Sequence, residues 1–380
     1  MKIAIILFGD YLKDGRVQRV AEALSITHEV KVFITTDYID NYPTKYNNVD
    51  IQMIPLKTKK LSNNPIIQIL KFIEYFIVTS QKINEFNPDT VFCNDVYTLF
   101  FGWLFKKKGK KFIYDSHELW KDTMHHYAYN AKLYKILYWV QKKTIHKADA
   151  VITVNDSIAN ILMEDHNIKK PIVIMNINKI IDMENDPNFA TFDKKLIDKD
   201  KKIVLYIGGI AVGRGLKNVI ESMQFWDDNI EFAILGSGTY EPKLKEISKK
   251  ISVEKKVHFL GSVLQKDVLK YAAACDAGIM AIQPSCKSYY YCLPNKFFQF
   301  AQLQKPIIAS NFPELAKLIS EYNLGVTFNP ENPKEIAASV NRLFTDNFKI
   351  TDIDYQRFIE TFNWKNEEKK LLQLINGLEK

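Results

Sequence analysis

Residues 289–310, YYYCLPNKFFQFAQLQKPIIAS, decide the fold because they join an aromatic loop, a short helix and a buried strand. Asn295 precedes apolar residues at helical spacing, so we expect it to cap the helix. Lys305-Pro306 stops the helix before the apolar run Ile307–Ala309. A short helix leading directly into an apolar strand is typical of an α/β fold.

The start of this helix, Pro294 to Lys296, is suited to a phosphate group. Free backbone N–H groups and the positive end of the helix dipole favour an anion there. Lys296 in the first turn is unfavourable for the helix alone but favourable with an anion bound. The alternative is a surface lysine on an ordinary crossover helix.

Apolar strands and amphipathic helices alternate along the whole chain, which predicts parallel sheets covered on both faces. At 380 residues the chain is long enough for two such domains. We predict two tandem, Rossmann-like, doubly wound parallel-sheet domains that face a cleft. The predicted parts are an N-terminal domain at 1–175, an Asn-, Asp- and Lys-rich linker at 176–200, a second domain at 201–354, and a C-terminal helix at 355–380 that packs on the first domain.

Composition limits the class of protein. The net charge of +8 comes from 52 basic and 44 acidic residues, which favours anionic partners but shows no polybasic tail. The four cysteines show no C-x-x-C spacing, which argues against a zinc site or a disulfide framework. The N-terminal apolar run ends at Gly9 and resembles a strand more than a signal peptide. A cytoplasmic protein without a membrane span is therefore expected.

A glycine-rich loop, GGIAVGRG at 208–215, follows a strong predicted strand. It differs from a mononucleotide P-loop because Arg214 replaces lysine and Gly215 replaces the hydroxyl residue. It differs from a dinucleotide loop because the third glycine is missing. What remains is a loop with one guanidinium that donates two hydrogen bonds to a diphosphate without a metal ion. The glycines expected at the phosphates are Gly208, Gly209, Gly213 and Gly236.

Six short motifs follow one another along the second half of the chain: IGG-x4-RGL, ILGSG, VHFLGSV, DAGI, LPNKFFQF and KPIIAS. These motifs resemble the donor-binding domain of the retaining family 4 (group 1) glycosyltransferases, which have the GT-B fold. YDSHEL at 114–119, ADAVITVN at 148–155 and FNW at 362–364 extend the resemblance over nearly the whole chain.

The resemblance implies roles for single residues. Arg214 corresponds to one of two cations that hold the donor diphosphate, and Gly209 occupies the position of the other, which leaves more of the charge to Lys296. Gln299 stands where the family has a ribose-binding glutamate. His117 corresponds to a histidine that contacts the donor sugar near its reacting carbon. The alternative for His117 is a structural hydrogen bond to a neighbouring backbone group.

The loop at residues 9–16 opens the first helix and resembles the family's flexible loop near the phosphates and the acceptor. Gly15 permits close approach to the donor phosphates. Asp14 and Arg16 are the predicted acceptor residues, and Arg16 is equally compatible with an anionic acceptor or a donor phosphate. A plain turn with a solvated arginine is the alternative.

The resemblance thus implies a metal-independent, retaining glycosyltransferase. Its expected donor is a nucleotide-sugar, with a UDP-sugar favoured, and its expected acceptor is a glycan or a polyprenyl-linked compound. No cofactor is expected, and Asp352–Asp354 has little weight as a metal motif. A degenerate sugar-nucleotide-binding partner subunit and a nucleotide-sugar epimerase are the alternatives.

Two basic segments predict attachment to the inner face of an anionic membrane. One is the lysine run at 106–111, and the other is the helix at 132–147, where Trp139 lies among lysines. We place Ile136 and Leu137 on the opposite, apolar face of that helix. A solvated helix is the alternative, and no nucleic-acid partner is expected because the chain has no known nucleic-acid motif.

Overall fold

The computed structural model describes residues 1–35, 42–61, 64–123, 131–180, 200–345 and 348–379. It divides into two compact units, one formed by Met1–Asn176 with the chain from Glu367 onward, the other by Ile177–Asn366. Most of the predicted linker, at 181–199, lies outside the described residues.

The first unit contains an eight-stranded sheet in the order β3-β4-β2-β1-β5-β6-β7-β8. All neighbouring strands are parallel except the β3 and β4 pair. The strands are β1 Lys2–Leu7, β2 Glu29–Ile34, β3 Lys45–Tyr46, β4 Val49–Met53, β5 Thr90–Asn94, β6 Lys111–Ser116, β7 Ala150–Thr153 and β8 Ile172–Val173. The central strands are fully buried because their apolar side chains face helices on both sides.

The helices of the first unit connect these parallel strands. They are α1 Gly15–Ser25, α2 Pro65–Phe86, α3 Leu99–Lys107, α4 Ala131–Thr144 and α5 Asp156–His166. Their ends follow from local chemistry. Asp14 caps α1, Asn64 caps α2 just before Pro65, and Asn87 ends α2 in the left-handed conformation.

The second unit contains a six-stranded, all-parallel sheet in the order β11-β10-β9-β12-β13-β14. Its strands are β9 Lys202–Ile207, β10 Ile230–Leu235, β11 Val257–Gly261, β12 Ala277–Met280, β13 Ile307–Ser310 and β14 Gly325–Phe328. Its helices are α6 Leu216–Ser222, α7 Glu241–Lys250, α8 Gln265–Ala274, α9 Lys287–Tyr290, α10 Asn295–Gln302, α11 Pro313–Tyr322, α12 Pro333–Leu343 and α13 Asp352–Thr361.

The last helix, α14, spans Trp364–Glu379. The carboxylate of Glu367 accepts a hydrogen bond of 2.8 Å from the backbone N–H of Met175. Leu371 and Ile375 are buried on its apolar face. The part of α14 from Glu367 onward therefore belongs to the first unit.

The prediction of two α/β domains with mostly parallel sheets is confirmed. Strand β4, between β3 and β2, was not predicted, because its sequence VDIQM alternates apolar and polar residues only briefly and lacks a strong apolar run. Asp354 of the D-x-D segment has a local structural role, since Thr351 and Asp354 form a capping box at the start of α13.

Candidate active site

In the second unit, the order of strands reverses direction between β9 and β12. Loops at the carboxyl ends of such neighbouring parallel strands form the usual ligand crevice of an open α/β sheet. The glycine loop follows β9, and the segment containing α9 and α10 follows β12. The sequence stretches singled out for donor binding therefore meet at one edge of this sheet.

Two glycines, one in the glycine loop and one in the loop after β10, are packed too closely against the backbone to be replaced by larger residues. Gly215 has a φ of +73°, and a Cβ there would lie 1.6 Å from the carbonyl oxygen of Ala281. A Cβ on Gly236 would lie 1.9 Å from the carbonyl oxygen of Gly208. A Cβ on Gly209, in contrast, would have no heavy atom within 4 Å. Steric crowding therefore explains Gly215 and Gly236 but not Gly209.

Arg214 links the two loops. Its guanidinium carbon lies 4.8 Å from the ring centre of Tyr289, which precedes α10. Beside it, the hydroxyl of Tyr206 donates a hydrogen bond of 2.9 Å to the carbonyl of Gly209, and burial raises the pKa of Tyr206 to about 12. Burial likewise raises the pKa of the Cys292 thiol to about 12, and the nearby charge of Arg214 opposes that effect. Stacking on an aromatic face orients the planar guanidinium.

Lys296 lies in the first turn of α10 and is half-buried. Its ammonium donates a hydrogen bond of 2.9 Å to the amide oxygen of Gln299. Burial lowers the pKa of Lys296 to about 8, because the charged form loses hydration. Gln299 itself is only 1% exposed, so its amide is directed into the protein toward the lysine.

The start of α10 differs from the prediction in one detail. The capping residue is Pro294, whose carbonyl accepts a hydrogen bond from the N–H of Phe297, and Asn295 is the first helical residue. The expectation that Asn295 caps the helix is wrong, because Pro294 in its extended conformation already ends the loop. No side chain caps this helix end, so its first N–H groups stay open to a ligand.

In the first unit, His117 lies just beyond β6 between two carboxylates. Its Nδ1 is 3.2 Å from Asp95 Oδ2, and its Nε2 is 3.4 Å from Asp115 Oδ2. Burial acts to lower the pKa of His117, but the charges of Asp95 and Asp115 outweigh burial and raise that pKa well above its usual value. The two carboxylates therefore favour the charged, imidazolium form of His117.

Asp115 is held from its other side by Arg16. The Nε and Nη2 atoms of Arg16 donate hydrogen bonds of 2.9 and 2.7 Å to the two carboxylate oxygens, and Nη1 donates to the carbonyl of Ile174. Burial acts to raise the pKa of Asp115, but Arg16 and His117 hold it well below its usual range. Arg16 is only 4% exposed, so its predicted role as an anion or acceptor contact is not supported: the guanidinium is already fully engaged.

Two other predicted residues of this loop have local roles. One carboxylate oxygen of Asp14 accepts hydrogen bonds from the N–H groups of Arg16 and Val17 and so caps α1. Gly15 is the first residue of α1, and a Cβ there would lie 3.1 Å from a guanidinium nitrogen of Arg19.

Asp95 is a site residue that the sequence did not indicate. It has a φ of +57°, an uncommon conformation for a residue with a side chain, and Oδ1 also accepts a hydrogen bond of 3.0 Å from the N–H of His117. Such strain of about 1–3 kcal/mol typically persists where function requires it. The available signal was its place directly after the buried strand β5.

The described residues include no helix long and apolar enough to cross a membrane. Among the same residues, no group of three or more histidine, cysteine and carboxylate side chains is arranged to hold a metal ion.

Two family models together match most of the chain. Residues 16–176 match Glycosyltransferase Family 4, and residues 188–361 match Glycosyl transferases group 1. An uncharacterised glycosyltransferase of Methanocaldococcus jannaschii is 23% identical over 252 residues. That match covers 63% of this chain and 63% of the relative, so it spans less than two thirds of the relative's own length.

A second relative is the Campylobacter jejuni N-acetylgalactosamine-N,N'-diacetylbacillosaminyl-diphospho-undecaprenol 4-alpha-N-acetylgalactosaminyltransferase, 25% identical, with 72% of this chain and 73% of that protein covered. Among solved structures, Anabaena HepE in complex with UDP and glucose superposes with a TM-score of 0.77 at 14% identity, covering 99% of this chain and all of that one. This likeness shows the GT-B fold. By its two family matches, in the order expected from its sequence motifs, the chain belongs to the group 1 glycosyltransferases of family 4.

Proposed function

We propose that this protein is a retaining glycosyltransferase that transfers a sugar from a UDP-sugar to a hydroxyl group of a lipid-linked or glycan acceptor. The observation that carries the proposal is the half-buried ammonium of Lys296 at an uncapped helix start, on the same edge of the sheet as the loop of the stacked guanidinium of Arg214. Among the residues that the structure describes, no carboxylate is in hydrogen-bond contact with this ammonium. An ammonium with a lowered pKa and no such contact is suited to an anionic ligand.

The proposed ligand of this crevice is the diphosphate of the donor. Arg214 donates paired hydrogen bonds to phosphate oxygens, and Lys296 supplies a second positive charge. The N–H groups at the start of α10 also donate hydrogen bonds to the diphosphate. These groups stabilise the negative charge that builds on the diphosphate as the sugar leaves. A front-face reaction, in which a phosphate oxygen accepts the proton of the acceptor hydroxyl, accounts for retention without a metal ion.

His117 has an electrostatic role in this proposal. A carboxylate faces each ring nitrogen of His117, and the charged form that these carboxylates favour has no free lone pair to act as a base. In this proposal His117 therefore takes no proton from the acceptor.

The choice of UDP and of a lipid-linked acceptor is supported by similar proteins. HepE was crystallised with UDP and glucose, and the Campylobacter relative acts on a diphospho-undecaprenol acceptor. Titration calorimetry with UDP, GDP and ADP tests the donor class. Incubation of UDP-sugars with and without an extract of polyprenyl-linked acceptors separates transfer from epimerisation, because only an epimerase changes the donor alone.

A second candidate is a sugar-nucleotide-binding partner without turnover, which the neutral Gln299 and the missing cation at Gly209 favour. Because a Cβ at Gly209 has no heavy atom within 4 Å, Gly209→Arg is the variant chosen to restore the cation. Combined with Gln299→Glu, it tests this candidate. Turnover by the unchanged protein excludes it, whereas UDP binding without turnover in either form supports it.

A further inference from the structure

A row of aromatic rings runs along the carboxyl edge of the sheet in the first unit. Phe8 follows β1, Tyr97 follows β5 and Trp120 follows β6, and these three strands are neighbours in the sheet. The ring centre of Tyr97 lies 5.1 Å from that of Phe8 and 5.1 Å from that of Trp120. Because neighbouring parallel strands end at the same edge, residues distant in the chain form one continuous row.

The row is buried at both ends. The ring of Tyr75 on α2 lies 5.2 Å from that of Phe8 and is 2% exposed. At the other end, Trp120 stacks on Tyr134 of α4 with 6.1 Å between ring centres, and both side chains are buried. Tyr134 thus lies on the buried face of α4, whereas Ile136, which the sequence placed on that face, is 57% exposed. Buried rings at both ends hold the middle of the row in place.

The middle of the row reaches the surface. Phe8 is 47% exposed and Tyr97 is half-buried. Their rings are nearly parallel, with 24° between the two planes. A single exposed phenylalanine is ordinary, but this one belongs to a supported pair at the edge of the sheet where His117 also lies. The pair therefore presents a firm apolar surface beside the candidate active site of this unit.

The backbone fixes the two rings relative to each other. The side-chain amide of Asn94 is buried and donates a hydrogen bond of 3.0 Å to the carbonyl of Ile6, which joins the ends of β5 and β1. Tyr97 lies in a tight turn, and the hydroxyl of Thr98 closes that turn by donating a hydrogen bond of 2.8 Å to the carbonyl of Asn94. A surface held in this way is preorganised, so a ligand that binds there pays little for ordering it.

Polar groups border the aromatic pair. Asp95 precedes Tyr97 by two residues, and its partly exposed carboxylate lies beside the imidazole of His117. A pyranose ring matches this combination. The C–H groups of its flat face suit the electron-rich face of an aromatic ring, and the hydroxyl groups at its edge donate hydrogen bonds to a carboxylate.

Other ligand classes match the same surface less well. An acyl chain would take water away from the Asp95 carboxylate and offer it no hydrogen bond, which costs free energy. A phosphate group would be repelled by that carboxylate and would gain nothing from the aromatic faces. Flat rings with a carboxylate at their border therefore favour a neutral sugar.

We propose that Phe8 and Tyr97 form a subsite on which a pyranose ring of the acceptor stacks, with its hydroxyl edge toward Asp95. This assignment rests on the proposed function and narrows its acceptor. The hydroxyl group that receives the transferred sugar then belongs to a sugar itself, in a lipid-linked or a free glycan.

Saturation-transfer NMR in the presence of UDP tests the subsite. The probes are the methyl glycosides of glucose, galactose, N-acetylglucosamine and N-acetylgalactosamine, with 1-octanol as a hydroxyl compound that has no sugar. For at least one glycoside, saturation is expected to reach the ring C–H protons more strongly than the methyl group of the aglycone. Phe8→Ala is expected to weaken binding of that glycoside roughly tenfold, because the stacking face is lost.

Two further variants separate stacking from packing. Phe8→Leu keeps apolar bulk without a flat face and should lose as much affinity as Phe8→Ala, whereas Phe8→Tyr keeps the ring and should retain binding. Phe225→Ala is the matched control, because Phe225 is a phenylalanine of similar exposure, 49%, in the second unit. This control should bind the glycoside like the unchanged protein.

The proposal is overturned if no glycoside receives saturation, if 1-octanol displaces the bound glycoside, or if Phe8→Leu binds the glycoside as tightly as the unchanged protein. Titration calorimetry with UDP on the unchanged protein keeps the two proposals separate. Binding of UDP without contact to any glycoside removes only the stacking subsite, whereas failure to bind UDP removes the proposed function.

Discussion

The ammonium of Lys296 lies 2.9 Å from the amide oxygen of Gln299, one turn further along α10. A neutral amide orients the lysine without neutralising it, so the positive charge stays available to a ligand. A glutamate at the same position would form an ion pair with the lysine. The difference between an amide and a carboxylate at residue 299 therefore determines how Lys296 titrates.

Binding of UDP is expected to depend on pH through Lys296. Burial lowers the pKa of the free lysine to about 8, and a bound diphosphate raises it because it favours the charged form. Affinity is then constant below that pH and falls by about tenfold per pH unit above it, until the pKa of the complex is reached. Titration calorimetry from neutral to alkaline pH measures this. Lys296→Arg should bind UDP without the decline, since arginine keeps its proton; a decline that persists in this variant would assign the titration to another group.

Gln299→Glu is expected to shift the alkaline decline in UDP affinity upward by about one pH unit or more. A carboxylate within hydrogen-bond distance favours the charged lysine and raises its pKa. The same titration, compared between Gln299→Glu and the unchanged protein, checks the shift. An unchanged midpoint would show that the contact between residues 296 and 299 is lost when the nucleotide binds.

Arg214→Ala is expected to weaken UDP binding by more than ~1.5 kcal/mol, because a charge-assisted, forked contact to the diphosphate is lost. Arg357→Ala is the matched control, since that guanidinium carbon lies 4.9 Å from the ring centre of Tyr322 in the same unit. The control should leave UDP affinity unchanged. Equal losses in the two variants would attribute the effect to general destabilisation.

Arg16→Met is expected to destabilise the protein at neutral pH by about 3–5 kcal/mol, because it leaves the charge of Asp115 buried and unpaired. In the unchanged protein the pKa of Asp115 is depressed on folding, so its contribution is present above the ordinary carboxyl pKa and is lost as the pH falls through the folded value. Urea unfolding at neutral pH and at pH values below the ordinary carboxyl pKa measures both effects.

The double variant Arg16→Met with Asp115→Asn is the control for this prediction. It removes the unpaired charge and should recover part of the lost stability. If Arg16→Met alone unfolds at the same urea concentration as the unchanged protein, the ion pair between Arg16 and Asp115 does not stabilise the fold.

Local sequence determined the two parallel sheets and the loops after their strands. The periodicity of apolar residues over a short stretch predicts these elements. Examples are the near-continuous apolar strand at Ile203–Leu205 and the amphipathic helix α14. The motifs around Arg214 and Lys296 were visible for the same reason, since a glycine loop and a helix start are local features.

The partners of these residues were decided only by tertiary structure. Arg16 has the sequence context of a solvated loop arginine. Only the folded sheet, which brings the ends of β1 and β6 together on either side of β5, shows that Arg16 is buried against Asp115 and the chain at Ile174. Asp95 comes to His117 in the same way, from the strand beside it. The exposure of Ile69 and Ile73 likewise depends on which face of α2 the sheet covers. Periodicity reveals that a helix has an apolar face, but burial and ion pairing depend on residues distant in the chain, whose positions only the folded sheet supplies.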